Sequence, residues 1–446
     1  MGSQVWVVAT LLTSIVLIVL TIVKLKFHPF LALLLASFFV GAMMGMRPLE
    51  IVDAVESGIG GTLGFLAAVI GLGTILGKIM EVSGAAERIG ITLQRCRWLS
   101  ADVIMVLVGL ICGITLFVEV GVVLLIPLAF SIAKKTHTSL LKLAIPLCTA
   151  LMAVHCVVPP HPAALFVTNA LGADVGTVIV YGLLVGLVAS LAGGPLFLKL
   201  LGERLPFKAV PAEFSDLNVR EEHTLPSLGA TLFTVLLPIG LMLVKTVAGL
   251  YMAANDSTLF ALLEFIGNPI TAMFIAVFVA YYLLGIRQHM AMSAMLTHTE
   301  NGFGAIANIL LIIGAGGAFN AILKTSGLAD TLAQMLSNLH MHPILLAWLV
   351  ALVLHAAVGS ATVAMMGATA IVAPMLPLYP NVSPAIITIA IGSGAIGCTI
   401  VTDSLFWLVK QYCGATLNET FKYYTTATFI ASVLALGGTF LLSFII

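Results

Sequence analysis

The sequence predicts an all-α polytopic membrane protein assembled from two related halves. Three observations carry that prediction: long apolar stretches with few charges, a weak internal repeat, and flanking charges that differ between the halves. Hydrophobic types supply 61% of the 446 residues, and Asp, Glu, Lys and Arg together only 9%, against about 25% in soluble proteins. Mean hydropathy is +1.16. Runs such as WVVATLLTSIVLIVLTIV (6–23) are apolar all round, which fits a lipid-embedded helix and not a barrel strand with alternating faces. A net charge of zero gives no reason to expect nucleic acid. The six cysteines show neither CxxC nor zinc spacing and read as buried thiols. No basic stretch precedes the first apolar run, so that run reads as a retained span.

In chain order, spans are expected at about 4–23, 29–46, 58–80, 143–168 and 176–199, then at 227–250, 263–285, 300–322, 384–410 and 423–445. Two further apolar stretches, 101–133 and 343–379, are interrupted midway by small and polar residues (GITLFVEVG and HAAVGSATVAMMG). The halves align when Ser83-Gly84 is laid on Ser326-Gly327, an offset of 243 residues. Gly71 and Gly73 then fall on Gly314 and Gly316, Glu87 on Asp330, and Pro160 on Asp403. Arg88, Arg95 and Arg97 precede the first interrupted stretch, and Lys134, Lys135 and Lys142 follow it. The matching flanks 331–343 and 377–385 hold no Lys or Arg. By the positive-inside rule each stretch is a re-entrant hairpin, one entering from the cytoplasm and one from the periplasm. Five crossings per half, an odd number, make the second copy inverted. The domains read as a first repeat over 1–199 (hairpin 101–133, broken helix 143–168), a cytoplasmic linker over 200–226, and a second repeat over 227–446 (hairpin 343–379, broken helix 384–410). Both termini are expected in the periplasm.

The interruptions carry the chemistry. HCVVPPHP (155–162) puts Pro159, Pro160 and Pro162 inside a span. Proline removes a backbone donor and clashes with the preceding turn, so a broken helix is expected there. Irregular backbone at that depth must lie inside protein or line a cavity; a plain proline kink is the blander reading. Two acids fall deep in the interruptions, Glu119 and Asp403. Apart from Lys410 at the far end of the second, neither stretch supplies a Lys or Arg, and an intramembrane carboxylate without a cation suits a proton carrier or a counter-charge for a substrate ammonium. The competing reading is a structural ion pair. Ser360 and Thr362 offer hydroxyls among small residues that could equally serve helix packing. Thr402 and Ser404 flank Asp403, and Thr115 lies in the first interruption. Of the histidines, His161 ranks above His155 and His355 as a direct ligand, and Asn308 and Asn320 are weaker candidates.

FVEVGVVLLIPLAF, LLKLAIPL, PPHPAAL, LGADVG and TDSLFWLVKQY together resemble the gluconate:proton symporter family over essentially the whole chain. Members carry an acid in the first tip, a PPHP break and a D-S-x-F-W run. Glu119 stands where gluconate carriers usually have aspartate, and Thr402 departs from the family's N-D-S. The resemblance implies proton-coupled uptake of a small polar solute across a bacterial inner membrane, with D-serine the first expectation and gluconate or related sugar acids the second. It implies an elevator-type fold and a homodimer. Glu119, Thr115, His161, Ser360, Thr362, Thr402, Asp403 and Ser404 are the expected substrate ligands, with Glu119 or Asp403 carrying the proton. No metal or organic cofactor is expected, and sodium stays open as the coupling ion. No GxSxG, HExxH or paired catalytic aspartates favour an intramembrane enzyme, and oppositely facing hairpins fit gates better than an open channel.

Overall fold

The helix starts recur in pairs. A capping residue followed by proline opens Pro29–Met43 (His28 Nδ1 accepts from the Phe30 N–H, 3.3 Å) and Pro269–Ala280 (Asn268 Oδ1 accepts from the Ile270 N–H, 3.0 Å). Proline at the first helical position loses no intrahelical bond, and the cap satisfies an amide that would otherwise be orphaned. The computed structural model describes residues 2–96, 98–212, 222–251, 258–328 and 341–445. Arg97, Arg220, Asp330 and most of the flank 331–343, all used in the sequence reading, lie outside the described residues.

All regular structure among the described residues is helical, and eight helices are long and apolar enough to cross a membrane. Two dominate, Pro48–Ser83 and Met292–Thr325, which pack along one another. The Ser-Gly pair that aligns the halves is their common stop signal: Gly84 (φ 76°) and Gly327 (φ 71°) both take the left-handed conformation at the helix end, where glycine meets no Cβ penalty. The expected span 263–285 is instead two helices, Thr258–Gly267 and Pro269–Ala280, because Asn268-Pro269 restarts the helix.

Ala101–Gly113 and Val118–Thr136 form the first hairpin; Pro343–Val358 and Ala361–Val372, extended by the 3-10 turn Ala373–Leu378, form the second. The first broken helix is Leu141–Val157 and Pro162–Ala170, and the second is Pro384–Ile396 and Ser404–Tyr412. Every residue from 143 to 168 is buried. HCVVPPHP therefore lies inside protein, where free backbone groups can be satisfied.

Packing between the halves is crossed. Val118–Thr136 of the first hairpin lies on Ser404–Tyr412 of the second broken helix, and Ala361–Val372 of the second hairpin lies on Pro162–Ala170 of the first. The long pair Pro48–Ser83 and Met292–Thr325 packs with Pro29–Met43 and Pro269–Ala280 on one side, and on the other Met292–Thr325 lies against Ala361–Val372 and Pro48–Ser83 against Pro162–Ala170. The connection between the halves is tied down at both ends. Lys208 pairs with Glu419 (2.8 Å), and Arg88 holds Glu222 Oε1 (2.9 Å) and the carbonyls of Glu222, Leu225 and Pro226.

Candidate functional site

Both hairpin tips and the second break converge on a cavity of about 290 Å³. The first tip contributes Phe117 to Glu119, the second Gly359 to Thr362, and the second break Thr402 to Leu405. His155 and Met152 close it from the first broken helix. Asn308, Ile309 and Ile312 of Met292–Thr325 form the remaining wall.

Local geometry explains how the tips are held. Gly359 ends Pro343–Val358 at φ 72°, and a Cβ there would strike the Thr402 carbonyl. Only glycine lets the tip and the break approach this closely. Ser360 then caps the next helix, its Oγ accepting the Val363 N–H at 3.4 Å. Thr402 Oγ1 donates to the Ala356 carbonyl at 3.3 Å. Asp403 caps Ser404–Tyr412, with Oδ1 accepting the Leu405 N–H at 2.7 Å. Three helices, Val118–Thr136, Ala361–Val372 and Ser404–Tyr412, thus start at the cavity wall. Their first amides and dipoles favour a negative group.

The two acids are not equivalent. Glu119 opens to the cavity and accepts a hydrogen bond from Ser404 Oγ at 3.2 Å. Asp403 is buried, and its Oδ2 lies 2.9 Å from His355 Nε2, while His355 Nδ1 lies 2.7 Å from the Gly397 carbonyl. The sequence reading looked for a Lys or Arg beside Asp403 and found none; the partner is a histidine one turn before the second tip. His355 was ranked low because a single intramembrane histidine has no sequence signature that separates a partner from a packed core residue.

Of the eight expected ligands, the structure brings six to the cavity: Glu119, Ser360, Thr362, Thr402, Asp403 and Ser404. Thr115 instead donates to the Cys112 carbonyl (3.3 Å) and points at Met80 Sδ (3.0 Å). His161 is buried against the Gly113 carbonyl. Both line a small neighbouring recess with Pro160 and Pro162. Asn320 is not in the cavity wall, whereas Asn308 is. The main addition is His155, which stands where His161 was expected. Its Nε2 is 3.5 Å from Thr362 Oγ1, and its Nδ1 is buried without a hydrogen-bond partner. The PPHP motif drew weight toward His161; one more helical turn back puts His155 on the cavity side. Among the described residues, no cluster of three or more His, Cys, Asp or Glu is placed to hold a metal ion.

Comparisons with known proteins agree with this architecture. The structure resembles that of MtrF from Neisseria gonorrhoeae (TM-score 0.65, 17% identity, 96% of this chain and 94% of that chain). It likewise resembles the YdaH transporter of Alcanivorax borkumensis (TM-score 0.59, 17% identity, 92% and 96%). At that identity the likeness establishes the fold. In sequence, the chain is 87% identical over 446 residues to the D-serine transporter DsdX of Escherichia coli (strain K12), covering 100% of both chains. It is 40% identical over 455 residues to the gluconate permease of Pseudomonas aeruginosa, covering 100% and 99%. The GntP family permease model matches residues 6–445. The chain therefore belongs to the GntP family of permeases, and it is a membrane transporter, not an enzyme.

Proposed function

We propose that this protein is a secondary transporter that takes up D-serine together with protons. The observation that carries the reading is the full-length 87% identity to a protein named as a D-serine transporter, and the cavity has the parts a zwitterion needs. The substrate carboxylate sits against the first amides of Val118–Thr136 and Ala361–Val372, which the helices leave free. Its ammonium faces Glu119. The hydroxyl is within the ring of Ser360, Thr362, Thr402, Ser404 and His155 side chains around the same space. Protonation of an acid in this site and occupancy by substrate favour the same packed arrangement of the tips, which is the thermodynamic content of symport.

A gluconate or sugar-acid reading has one observation in its favour, the 40% relative of that name. Glu119 weighs against it. Its side chain is one methylene longer than the aspartate that the family resemblance implies for gluconate carriers, so it reaches further into the cavity and leaves less room for a longer anion.

The crossed packing of hairpins on broken helices is what an inverted repeat about a pseudo-twofold axis requires, and the extensive packing of the hairpins and broken helices on one another suits an elevator in which the tips and breaks travel together past Pro48–Ser83 and Met292–Thr325. With Arg88, Arg95, Lys134 and Lys135 on the cytoplasmic face of the bacterial inner membrane, both termini fall in the periplasm. The working unit is a homodimer. Counterflow in proteoliposomes with a panel of D- and L-amino acids and sugar acids, with and without a pH gradient, tests the assignment. D-Serine must exchange and must accumulate when the outside is acidic. Gluconate counterflow without D-serine counterflow reverses the choice of substrate, and accumulation that follows a sodium gradient in place of pH changes the coupling ion.

A further inference from the structure

We propose that the coupling proton resides on the His355–Asp403 pair, shared between His355 Nε2 and the Asp403 carboxylate, and that its departure unlinks the second tip from the second break. The inference rests on the proton-coupled reading above. It gives His355 a functional role and separates the tasks of the two acids.

Donor and acceptor bookkeeping places the proton. The Gly397 carbonyl can only accept, so the 2.7 Å contact makes His355 Nδ1 an N–H donor. The other ring nitrogen lies 2.9 Å from Asp403 Oδ2. A bare imidazole nitrogen and an ionised carboxylate are both acceptors and do not meet at that distance without a hydrogen between them. The pair is therefore imidazolium with carboxylate, or imidazole with carboxylic acid. Both forms hold one proton more than neutral histidine beside ionised aspartate, and both are neutral overall. His355 is 0% exposed and Asp403 6% exposed, so water does not stand in for the missing donor.

The proton is also placed to do mechanical work. His355 is in the last turn of Pro343–Val358, and its carbonyl accepts the Gly359 N–H at 2.8 Å. Gly397 and Asp403 are the two ends of the second break. One histidine thus clamps the tip to both ends of the break, and Gly359 and Thr402 abut across the same seam. With the proton gone, a lone pair faces a carboxylate and the clamp on Asp403 is lost. Residues 359–362 and 402–405 are adjoining parts of the substrate cavity wall, so opening that seam breaches it.

The titratable groups around the pair do not replace it. Glu119 faces Asp403 from the first tip, His155 approaches from the first broken helix with His161 behind it, Cys156 lies beside Asp403, and Tyr424 approaches from the last helical segment. None of them hydrogen-bonds to His355 or Asp403. Lys410, further along Ser404–Tyr412, sits over the Trp407 ring at 5.9 Å from its centroid. Glu119 is left open to the cavity for the substrate.

Asp403→Asn tests this directly. The amide can donate to His355 Nε2, and its oxygen can still accept the Leu405 N–H, so the variant imitates the loaded pair but carries no exchangeable proton. The readout in proteoliposomes is the ratio of D-serine accumulation under an acid-outside gradient to counterflow at equal pH. That ratio is expected to fall at least about tenfold in Asp403→Asn and in His355→Gln, and to stay within about threefold in Glu119→Gln, whose KM rises in both modes. A wild-type ratio in Asp403→Asn overturns the proposal, as does loss of the ratio in Glu119→Gln alone. Should Asp403→Asn fail to reach the membrane, His355→Gln decides by the same ratio. Wild-type protein that exchanges D-serine but ignores the pH gradient removes the proton-coupled reading and this pair with it. If D-serine itself does not exchange, only the choice of substrate falls, and the ratio is read with the panel solute that does.

Discussion

Gly359→Ala separates the packing of the tip from the chemistry of the cavity. Two costs follow from the structure. A residue with a Cβ at φ 72° loses about 1–2 kcal/mol in the left-handed region. The added Cβ would also meet the carbonyl carbon and oxygen of Thr402, backbone atoms that yield only if the second break moves. That movement stretches the 3.3 Å bond from Thr402 to Ala356, and losing one such bond costs about 1 kcal/mol. The sum, about 2–3 kcal/mol against the packed cavity, corresponds to a rise in KM of about 30- to 150-fold at about 1.4 kcal/mol per decade. Gly45→Ala is the matched control: Gly45 has φ 78° but open space where its Cβ would go, so it carries the backbone cost alone. Initial rates of uptake in proteoliposomes give KM, and thermal unfolding in detergent gives the stability of each variant. Gly45→Ala should lower the Tm and leave KM within about twofold, because it touches no wall of the cavity. A Gly359→Ala protein with wild-type KM, or with no larger change than Gly45→Ala, refutes the close tip-to-break contact as the basis of binding.

Glu119→Asp withdraws the carboxylate by one methylene and breaks its contact with Ser404; D-serine KM should rise about 10-fold or more, and competition assays should show weaker discrimination against sugar acids. His161→Ala removes the ligand of the Gly113 carbonyl, whereas His161→Gln can still donate to it; KM measurements should show a loss in the first that the second largely restores, with the pH-gradient ratio unchanged in both. Arg88→Met leaves the carbonyls of Glu222, Leu225 and Pro226 without their donor at a side chain only 15% exposed, while Glu222 keeps Arg95, so the protein should lose about 2 kcal/mol, seen as a lower Tm and faster proteolysis within the connection between the halves. Lys208→Met breaks one partly exposed pair with Glu419 and should cost about 1 kcal/mol or less by the same measurements.

What could be read from the residues alone follows a physical divide. Apolar run length and composition report on lipid, so the membrane class and most helix positions were legible. Helix punctuation is local chemistry, so the PPHP break and the two tips could be placed as well, while the Ser-Gly pairs served to align the halves before the structure showed them to be helix stops. The exception, 258–280, failed where hydropathy continued unbroken across Asn268-Pro269 and the capping chemistry was outvoted. Side-chain partners are a different matter. His355 and Asp403 are separated by 48 residues and meet only because the second hairpin packs against the second break; no spacing rule encodes that. His155 and His161 differ by less than two turns of helix, yet the intervening break sends one to the cavity and the other to the back of the first tip. Which side of a broken helix faces inward depends on the backbone path through the break, and apolar neighbours on every side leave no periodicity from which to infer it.

The two halves use the same device with its parts exchanged, and the exchange explains why one seam can move with protonation while the other stays shut. In the first half the histidine belongs to the break: His161 reaches the carbonyl of Gly113, at the edge of the first tip. In the second half the histidine belongs to the tip: His355 reaches the carbonyl of Gly397, at the edge of the second break. Each joins a tip to a broken helix by a ring nitrogen and a backbone oxygen. Only the second places a carboxylate on the far nitrogen, at the position where the aligned first half has Pro160. One N–H satisfies the first seam, since a single donor is all that the Gly113 carbonyl requires. The second seam requires hydrogens on both sides of the ring or a hydrogen on the acid, and so it is complete only when a proton is bound. A scaffold with twofold character thereby gains one fixed latch and one titratable latch, and a single carboxylate makes the difference between them.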